Sequence, residues 1–403
     1  KASAVAYSHE NETATPGYYA VYLPSLACLA EMTATAHAGV HRYTFGTIKN
    51  ARLSIDVSSY AGNSKVEDSY AEYDAETGII TGGCNLFAQF SGRYDGLPVY
   101  FAAKTSKAAE KVEIKGGSDD LKVDINFGSI KNEAVELYVG ISFVSAENAL
   151  LNLEEEVGSK TFDDVRNEAQ AQWEDELSLI RIESADEEIK TIFYSSLYHT
   201  MIMPSDATDV NGEYLGFDKE VHTADGYTYR TDMSLWDTVR NTHSLYTLIE
   251  ADVQNDCLNS LVEMAKAGNG NLPRWPQGAG YTGSMFGDSA NIMIAESYVK
   301  GYTDFDVETA YDFMKKSSDT GVNRVGREWL KEYNEYGYIP DDLANGEESV
   351  SFTLEYAWED NAIAVLAEQL GKTEDAERYS EKAMYYKNLF NPETKYFQAR
   401  NSD

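Results

Sequence analysis

The sequence has few basic residues and few cysteines, and each shortage excludes a class of protein. Lys and Arg number 33 against 67 Asp and Glu, which gives a formal net charge of −34. Nucleic acid and anionic lipid need clustered Lys and Arg, so neither is expected as a partner. The cysteines, Cys28, Cys84 and Cys257, form no CxxC pair, and we expect small buried residues rather than zinc ligands or disulfides.

Long apolar runs are also missing, which excludes a membrane span in this segment. No run approaches the roughly 18 apolar residues that a spanning helix needs. The chain begins at Lys1 without a basic and apolar signal, so we expect either processing or a piece of a longer polypeptide. Aromatic residues make up 12% of the 403 residues, which argues against disorder and allows two or three domains with cores of their own.

The first third of the chain has the alternating pattern of short strands. Apolar, β-branched and aromatic residues alternate between Gly, Asn and Asp turns. The clearest runs are 18–23, 43–45, 53–57, 97–101 and 135–141. This spacing predicts an antiparallel β-sandwich over residues 1–145.

After residue 145 the apolar period changes to that of helices. Thr161 can cap a long polar helix over 161–179, and we expect 146–182 to be a helical linker. Further helices are predicted at 186–203, 255–267, 289–300, 307–316, 353–370 and 374–389. Paired helices form either an open solenoid or a closed α/α toroid. Because the pairs have no fixed repeat length, the pattern favours a toroid over 183–403.

The segment 232–240 is the first candidate for sugar binding. It places the indole of Trp236, the carboxylate of Asp237 and the guanidinium of Arg240 within about one helical turn. A sugar ring has one C–H-rich face, which an indole can cover, and a hydroxylated rim, which charged groups can bind. The alternative is a core Trp beside an ordinary helix salt bridge.

The second candidate is the Gly- and Pro-rich segment 271–283. Trp275 lies between Pro273 and Pro276, which restrict the backbone and favour a rigid stacking platform. A well-packed loop is the alternative. The glycine spacing does not fit a dinucleotide or phosphate-binding loop.

The third candidate, 349–361, carries the carboxyl best suited to acid catalysis. Ser351 or Thr353 can cap the helix, which would put Glu355 in its first or second turn and Glu359 one turn further on the same face. Aromatic neighbours would desolvate a carboxyl here and favour the protonated form that a general acid needs. Acidic residues early in helices often serve only the helix dipole, and this alternative stays open.

Two patterns that could bind a metal ion are weaker than these three candidates. The segment 206–212 is rich in oxygen ligands and ends in Gly212, but it lacks the bidentate Glu of a calcium loop and predicts a plain turn. The six histidines form no HExxH or HxH cluster, so zinc catalysis is not indicated.

A series of motifs in a fixed order extends over essentially the whole chain. The motifs are 7–19, 193–200, 209–216, 234–240, 272–276, 300–306, 337–340, 350–356 and 386–390. The most specific is Val350-Ser351-Phe352-Thr353-Leu354-Glu355-Tyr356. Together they resemble glycoside hydrolase family 92, the calcium-dependent exo-acting α-mannosidases.

The resemblance implies a β-sandwich followed by an (α/α)6 barrel and an inverting mechanism on mannose-containing glycans. Glu355 would protonate the leaving oxygen, and a carboxylate on the opposite face would activate water. Ca²⁺ would bind mannose hydroxyls. Trp236, Asp237 and Arg240 would line the mannose site, with Trp275 as a further substrate-binding residue. Family habit also implies a secreted or cell-surface protein.

The chain departs from the family pattern at both ends. The family's Gly-rich first segment would precede Lys1, and its Asn-Asp-Asp-x-Gly base motif would follow Asp403. We therefore expect a sandwich and part of a barrel that hold the acid without the base and without most calcium ligands. Ser289 replaces a frequent His, and residues 359–361 replace Asp-Asp-Trp.

Other functions fit part of the pattern. A barrel glycosidase with another sugar preference would also need Trp236 and Glu355, and a non-catalytic glycan-binding module could keep the sugar platform without the base. A tetratricopeptide-like adaptor fits least well, because the repeat is missing. The sequence carries no signal for linkage preference or oligomeric state.

Overall fold

The computed structural model describes residues 5–322 and 325–403 and divides into two compact units. The β unit comprises Lys1–Met201 and Ala207–Tyr214, and the helical unit comprises Ile202–Asp206 and Leu215–Asp403. The first four residues of the sandwich predicted over 1–145 lie outside the described residues.

Two antiparallel sheets form most of the β unit. Its strands are β1 (Glu12–Thr15), β2 (Tyr18–Leu23), β3 (Cys28–Ala34), β4 (Ala38–Phe45), β5 (Ile48–Asp56), β6 (Lys65–Tyr73), β7 (Ile80–Phe87), β8 (Leu97–Thr105), β9 (Lys111–Lys115), β10 (Lys122–Ile130) and β11 (Glu133–Ser142). The larger sheet has the order β1-β2-β3-β4-β11-β8-β7-β6, and the smaller has the order β5-β10-β9. In the larger sheet β11 pairs with both β4 and β8, so it joins two groups of sequential strands.

Alternating side chains of the two sheets form the core of the β unit. In β10, Val123, Ile125 and Phe127 are buried, whereas Lys122 and Asp124 are partly exposed. Successive side chains of a strand point to opposite faces, which explains this pattern. The buried cluster includes residues from both sheets, so the predicted sandwich is confirmed.

Three helices belong to the β unit: α1 (Ala146–Glu156), α2 (Phe162–Leu177) and α3 (Glu187–Thr200). The predicted cap of α2 is present, since the Thr161 hydroxyl accepts from the Asp164 backbone N–H and the Asp164 carboxylate accepts from the Thr161 N–H. Phe162 and Val165 then pack against Ala38 and Val40 of β4. Helix α1 lies within the helical linker predicted over 146–182, although no separate helix was predicted there.

The helical unit consists mainly of helices and short two-stranded pairs. The helices are α4 (Leu235–Thr238), α5 (Thr242–Ile249), α6 (Ala251–Ala267), α7 (Ser289–Val299), α8 (Val307–Ser318), α9 (Leu330–Tyr336), α10 (Ser349–Gln369) and α11 (Thr373–Lys382), followed by a 3₁₀ turn at Tyr385–Leu389. The two-stranded pairs are Ser205–Asp206 with Arg230–Thr231, Pro276–Gln277 with Gly280–Tyr281, Gly321–Val322 with Val325–Gly326, and Phe390–Asn391 with Tyr396–Phe397. A further short strand is Val221–Thr223, and another, Glu213–Leu215, begins in the β unit and ends at Leu215 of this one.

The start of α10 differs from the prediction. The helix begins at Ser349, with Glu348 in the capping position, so neither Ser351 nor Thr353 is the cap. Thr353 is buried inside the helix, where its hydroxyl donates to the Ser349 carbonyl and accepts from the Ile339 N–H. Glu355 consequently lies at the end of the second turn.

The expected order of a β domain followed by a helical domain is confirmed. All three cysteines are unpaired, and Cys28 and Cys257 are buried as predicted, while Cys84 is partly buried. Throughout residues 5–322 and 325–403, helices are either too short or too polar to cross a membrane.

Candidate active site

The segment around α4 presents two of the predicted sugar-binding side chains on one face. Leu235 and Val239 are buried and anchor the segment, whereas Trp236 is half-buried and Arg240 is exposed. Residues four apart in a helix are neighbours on its surface. The Arg240 guanidinium carbon accordingly lies 4.6 Å from the centroid of the Trp236 ring.

Arg240 also connects this face to Glu355 of α10. Its Nη2 donates to Glu355 Oε1 at 2.6 Å, although 115 residues separate the two in sequence. The Glu355 side chain is only 14% exposed, against 38% for Arg240. Glu355 Oε2 is buried and has no hydrogen-bond partner among the described residues. Trp236, Arg240 and Glu355 therefore form one site, in which one oxygen of the carboxyl group has no hydrogen-bond partner among the described residues.

Aromatic rings form a wall beside this carboxyl group. Phe286 lies 5.8 Å from Trp236 and 4.4 Å from Phe352 between ring centroids, and Phe352 lies 6.0 Å from Tyr356. We call Trp236, Phe286, Phe352 and Tyr356 the aromatic wall. It connects α4 to α10, the helix that carries Glu355.

The other two predicted sugar-binding residues are Asp237 and Trp275. Asp237 is exposed, and Trp275 is half-buried in its loop. The contacts of Arg240 and Trp236 that define the site do not include either residue. Their assignment to the site remains a prediction.

Hydrogen bonds do tie the Trp275 loop to the segment that leads into α4. The Met233 N–H donates to the Pro276 carbonyl at 3.1 Å, and the Thr231 hydroxyl donates to the Gly278 carbonyl at 2.7 Å. The Gly278 N–H donates to the Asp232 carboxylate at 3.1 Å. The two sugar-binding candidates from the sequence therefore belong to one hydrogen-bonded assembly.

Behind Glu355 lies a buried ionic group centred on Arg327, which we call the Arg327 cluster. The guanidinium is fully buried and donates to Asp288 Oδ2 and to Asp360 Oδ1, both at 2.7 Å. The Tyr333 hydroxyl donates to the second oxygen of Asp360 at 2.9 Å. Glu359 Oε2 lies 3.7 Å from Arg327 Nη2.

Glu359 is the carboxyl of α10 whose protonation the fold perturbs most clearly. Burial, followed by the nearby Asp288 carboxylate, raises the pKa of Glu359 well above its ordinary value, although Arg327 opposes the shift. Glu359 Oε1 accepts from the Asp288 N–H at 2.6 Å. Gly287, at φ +85°, has no room for a Cβ because Glu359 Oε1 lies against it.

Most residues of the Arg327 cluster and of the segment next to Glu359 were not predicted from the sequence. The four-residue spacing of Glu355 and Glu359 was noted, but it does not reveal the burial of Glu359. Phe286, Asp288 and Arg327 carry no motif, and they meet α10 only through the tertiary fold. The Gly287-Asp288 dipeptide, directly before α7, was the one available signal.

A cation site made of side chains is not found among the described residues. No three His, Cys, Asp or Glu side chains in residues 5–322 and 325–403 are grouped so as to hold a metal ion. In the calcium-like segment 206–212, Asp209 is buried and accepts from Ser142, Asn148 and Asn152 at 2.6–2.8 Å. This carboxylate is a structural anchor, which agrees with the prediction of a plain turn.

Family models match nearly the entire chain. The glycosyl hydrolase family 92 N-terminal domain matches residues 1–142, and the family 92 catalytic domain matches residues 148–403. Among curated proteins, an uncharacterized secreted glycosidase of Arthroderma benhamiae is 27% identical over 425 residues, covering 96% of this chain and 50% of that protein.

Solved structures give the same result. A family GH92 α-mannosidase of Bacteroides thetaiotaomicron is 33% identical with a TM-score of 0.90, and the match covers 98% of this chain and 54% of that chain. That enzyme has also been solved in complex with mannoimidazole. A family GH92 inverting mannosidase of Bacteroides thetaiotaomicron is 26% identical with a TM-score of 0.87, covering 98% of this chain and 54% of that chain.

The chain spans about half the length of these relatives. Both family models nevertheless match it in the expected order, and they meet between residues 142 and 148, next to the start of α1. The resemblance seen in the motifs is confirmed, and the chain belongs to glycosyl hydrolase family 92.

Proposed function

We propose that this chain provides the general-acid side of an exo-acting α-mannosidase site, with Glu355 as the acid. The observation that carries the proposal is the environment of its carboxyl group. One oxygen is held by Arg240, the other is buried without a partner, and the aromatic wall lies beside it. A carboxyl that is fixed in place and keeps one oxygen without a protein partner is suited to protonating a leaving glycosidic oxygen.

The side chains around Glu355 would orient the sugar. Trp236 would cover the C–H-rich face of a terminal mannose, and Arg240 would bind its hydroxyls together with Asp237. A guanidinium has five N–H donors, so Arg240 can hold Glu355 through Nη2 and still donate to a hydroxyl. Trp275 would stack on the neighbouring part of the glycan.

An inverting mechanism requires a second carboxylate about 6.5–9.5 Å from the acid, with a water molecule between that carboxylate and the sugar. We propose that the relatives' additional length contains this base in the complete enzyme. The similarity to an inverting mannosidase supports inversion. The mannoimidazole complex of a 33% identical relative supports mannose as the sugar.

Calcium is part of the proposal on family grounds alone. The described residues do not offer a set of side-chain ligands, so we assign no catalytic step of this chain to the ion. The expected result is that a chelator abolishes hydrolysis by the complete enzyme and that Ca²⁺ restores it. Secretion or display at the cell surface is likewise proposed, and the relative described as a secreted glycosidase supports it.

The acid assignment is tested with the longest polypeptide that contains this chain. Glu355→Gln should reduce mannose release from an α-linked manno-oligosaccharide by about 10²–10⁴-fold, the usual contribution of a positioned acid. A dinitrophenyl mannoside has a leaving group that needs no proton, so its hydrolysis should fall much less. Proton NMR of the first-formed mannose should show the β anomer.

Glu368→Gln is the matched control, since it makes the same change at an exposed position of the same helix. It should leave both rates unchanged. Equal losses on the two substrates would contradict the role of Glu355 as acid. Glycan binding without hydrolysis by the complete polypeptide would instead indicate a non-catalytic binding module, and release of another sugar would indicate a different specificity.

A further inference from the structure

We propose that Glu359 is a neutral, protonated carboxylic acid in the resting protein and acts as a positioning residue that fixes the Phe286–Asp288 segment against α10, one turn beyond Glu355. The protonation state stands on its own geometry. The positioning role rests on the function proposed for Glu355.

The hydrogen bonds of Glu359 satisfy one oxygen of its carboxyl group and leave the other without a donor. The side chain is fully buried, and its Oε1 accepts from the Asp288 N–H at 2.6 Å. Its Oε2 has no hydrogen-bond partner among the described residues, and neither has Asp288 Oδ1. An ionised oxygen buried without a donor is costly. A proton on Glu359 would remove that charge and provide a donor in a cluster that has an unused acceptor.

The charges around Glu359 lead to the same conclusion. The groups that face it or complete the cluster are the cations Arg327 and Lys382, the carboxylates Asp288 and Asp360, the phenols Tyr333 and Tyr356, and the Glu355–Arg240 pair. Arg327 donates one hydrogen bond to Asp288 and one to Asp360. The two cations Arg327 and Lys382 balance the charges of these two carboxylates. A third buried carboxylate would have to share Arg327, whose Nη2 lies 3.7 Å from Glu359 Oε2, with these two. Burial and the neighbouring carboxylates also raise the pKa of Glu359 well above its ordinary value.

The positioning role follows from the backbone that Glu359 holds. The hydrogen bond to Asp288 and the contact with Gly287 fix the residues that directly follow Phe286. Phe286 in turn packs against Trp236 and Phe352, so it sets the distance between α4 and α10. Loss of the Glu359 hydrogen bond should therefore disturb the aromatic wall beside Glu355, although Glu359 itself touches no substrate.

Infrared spectroscopy tests the protonation state directly. The 403-residue chain at pH 7 should show a carboxylic-acid C=O band that shifts on labelling with ¹³C-glutamate and does not shift on labelling with ¹³C-aspartate. The band should be missing from Glu359→Gln and present in Glu368→Gln. If no glutamic-acid band exists in the wild type at pH 7, the proposal is wrong, and this measurement does not depend on whether any variant folds.

Unfolding as a function of pH gives a second test. A proton bound more tightly in the native state contributes stability that is complete below the unfolded pKa and is lost as pH rises through the native pKa. We compare the unfolding equilibrium constant of the wild type with that of Glu359→Gln. Above pH 4.5, the pKa of the carboxyl in the unfolded chain, the ratio of the two constants should rise about tenfold per pH unit in the direction of unfolding. If the ratio of the wild-type to the Glu359→Gln unfolding constant stays the same between pH 5 and pH 8, the proposal is wrong.

Kinetics of the longest polypeptide test the positioning role. Glu359→Leu should lower kcat/KM for the manno-oligosaccharide about tenfold or more, and Glu359→Gln, whose amide oxygen can accept from the Asp288 N–H, should restore most of it. Equal loss in both variants would contradict the role of a neutral hydrogen-bond acceptor. The two proposals fail separately. An active Glu355→Gln variant removes the acid assignment but leaves the infrared test intact, and a missing band removes the Glu359 proposal but leaves the acid assignment intact.

Discussion

Burial has opposite outcomes for two carboxyl groups of the β unit, Glu31 and Glu156, and for Glu359 of the helical unit. In the β unit, the hydrogen bonds of Arg42, opposed by burial and helped by Tyr18, lower the pKa of Glu31. Burial works against ionisation of Glu156 too, but donors from His37 and Thr35 outweigh it and lower its pKa. In the helical unit, burial of Glu359 prevails and raises its pKa. The β unit surrounds its acids with donors, whereas the helical unit leaves polar atoms unsatisfied close to Glu355.

Because of this difference, Glu31 and Glu156 on the one hand and Glu359 on the other contribute to stability with opposite dependence on pH. A carboxyl with a lowered native pKa contributes stability above its unfolded pKa and loses it as pH falls through the native value. A carboxyl with a raised native pKa loses its contribution as pH rises. Acid should therefore weaken the β unit through Glu31 and Glu156, while neutral and basic pH weaken the helical unit through Glu359. The group that lowers the stability of the helical unit at higher pH, Glu359, lies one helical turn from the candidate acid Glu355.

The largest effect is expected from removing the cation of the Arg327 cluster. Arg327→Met would leave Asp288 and Asp360 buried without their donor, and breaking a buried ion pair in this way costs about 3–5 kcal/mol. Denaturant unfolding at pH 7 measures the loss. Arg378→Met, which removes a half-exposed pair with Asp319, should cost no more than about 1 kcal/mol. Similar small losses in both variants would mean that the cluster does not hold the helical unit together.

The next effect should come from the glycine that touches Glu359. Gly287→Ala combines a positive φ with a clash at Glu359 Oε1, and left-handed strain plus overpacking should cost about 3 kcal/mol. Gly301→Ala is the control, because its φ is also positive, at +98°, while nothing lies within 4 Å of its Cβ position. The difference between the two variants in unfolding free energy isolates the clash. No difference would show that Glu359 can move away freely.

In the β unit, Glu156→Gln should reduce stability in a pH-dependent manner. The Glu156 carboxylate lies 2.7 Å from His37 Nδ1 and accepts from the His37 N–H at 2.9 Å. Losing a buried charged acceptor costs about 2 kcal/mol, and the cost should be present at pH 7 and vanish as the wild-type carboxyl becomes protonated in acid. The exposed neighbour Glu155→Gln should change little at any pH. A loss that persists in acid would contradict the contrast between the units.

The smallest effect on stability is expected at Arg240. Since its side chain is 38% exposed, Arg240→Met should change the unfolding free energy by no more than about 1 kcal/mol, despite the short bond to Glu355. Arg42→Met in the β unit, whose side chain is 19% exposed, should cost more. Calorimetric titration with a manno-oligosaccharide should show the reverse order for glycan affinity. If Arg240→Met lost more stability than Arg42→Met, Arg240 would have a structural role.

Local patterns were enough to predict most of the fold. Alternation predicted the strands of the sandwich, and the Thr161 cap predicted the start of α2. Helix α1 lies in the predicted helical linker, but its bounds were not predicted, because Asn148 and Asn152, both buried, interrupt its apolar face and bond to Asp209. The cap of α10 was misplaced because the Thr353 hydroxyl serves a distant backbone N–H, which no local rule includes.

Only the residues around the Glu355 carboxyl were predictable from the sequence. Motif order singled out Trp236, Arg240 and Glu355, and the fold brings these three together. The Arg327 cluster could not be predicted, because a single Arg outside any motif gives no indication that it will be fully buried between acids from α10 and the start of α7. Burial of charge is a property of the assembled fold.

The position of β11 has a consequence for synthesis of the chain on the ribosome. Strands β1 to β4 form one set of sequential hairpins and β6 to β8 another, but β11 separates β4 from β8 in the sheet. Neither set has its final neighbour until residue 142 has left the exit tunnel. The edges of β4 and β8 therefore stay open during translation of the intervening segment, when they can pair with other nascent chains. The interval between β8 and β11 is where slowed elongation would most increase misassembly.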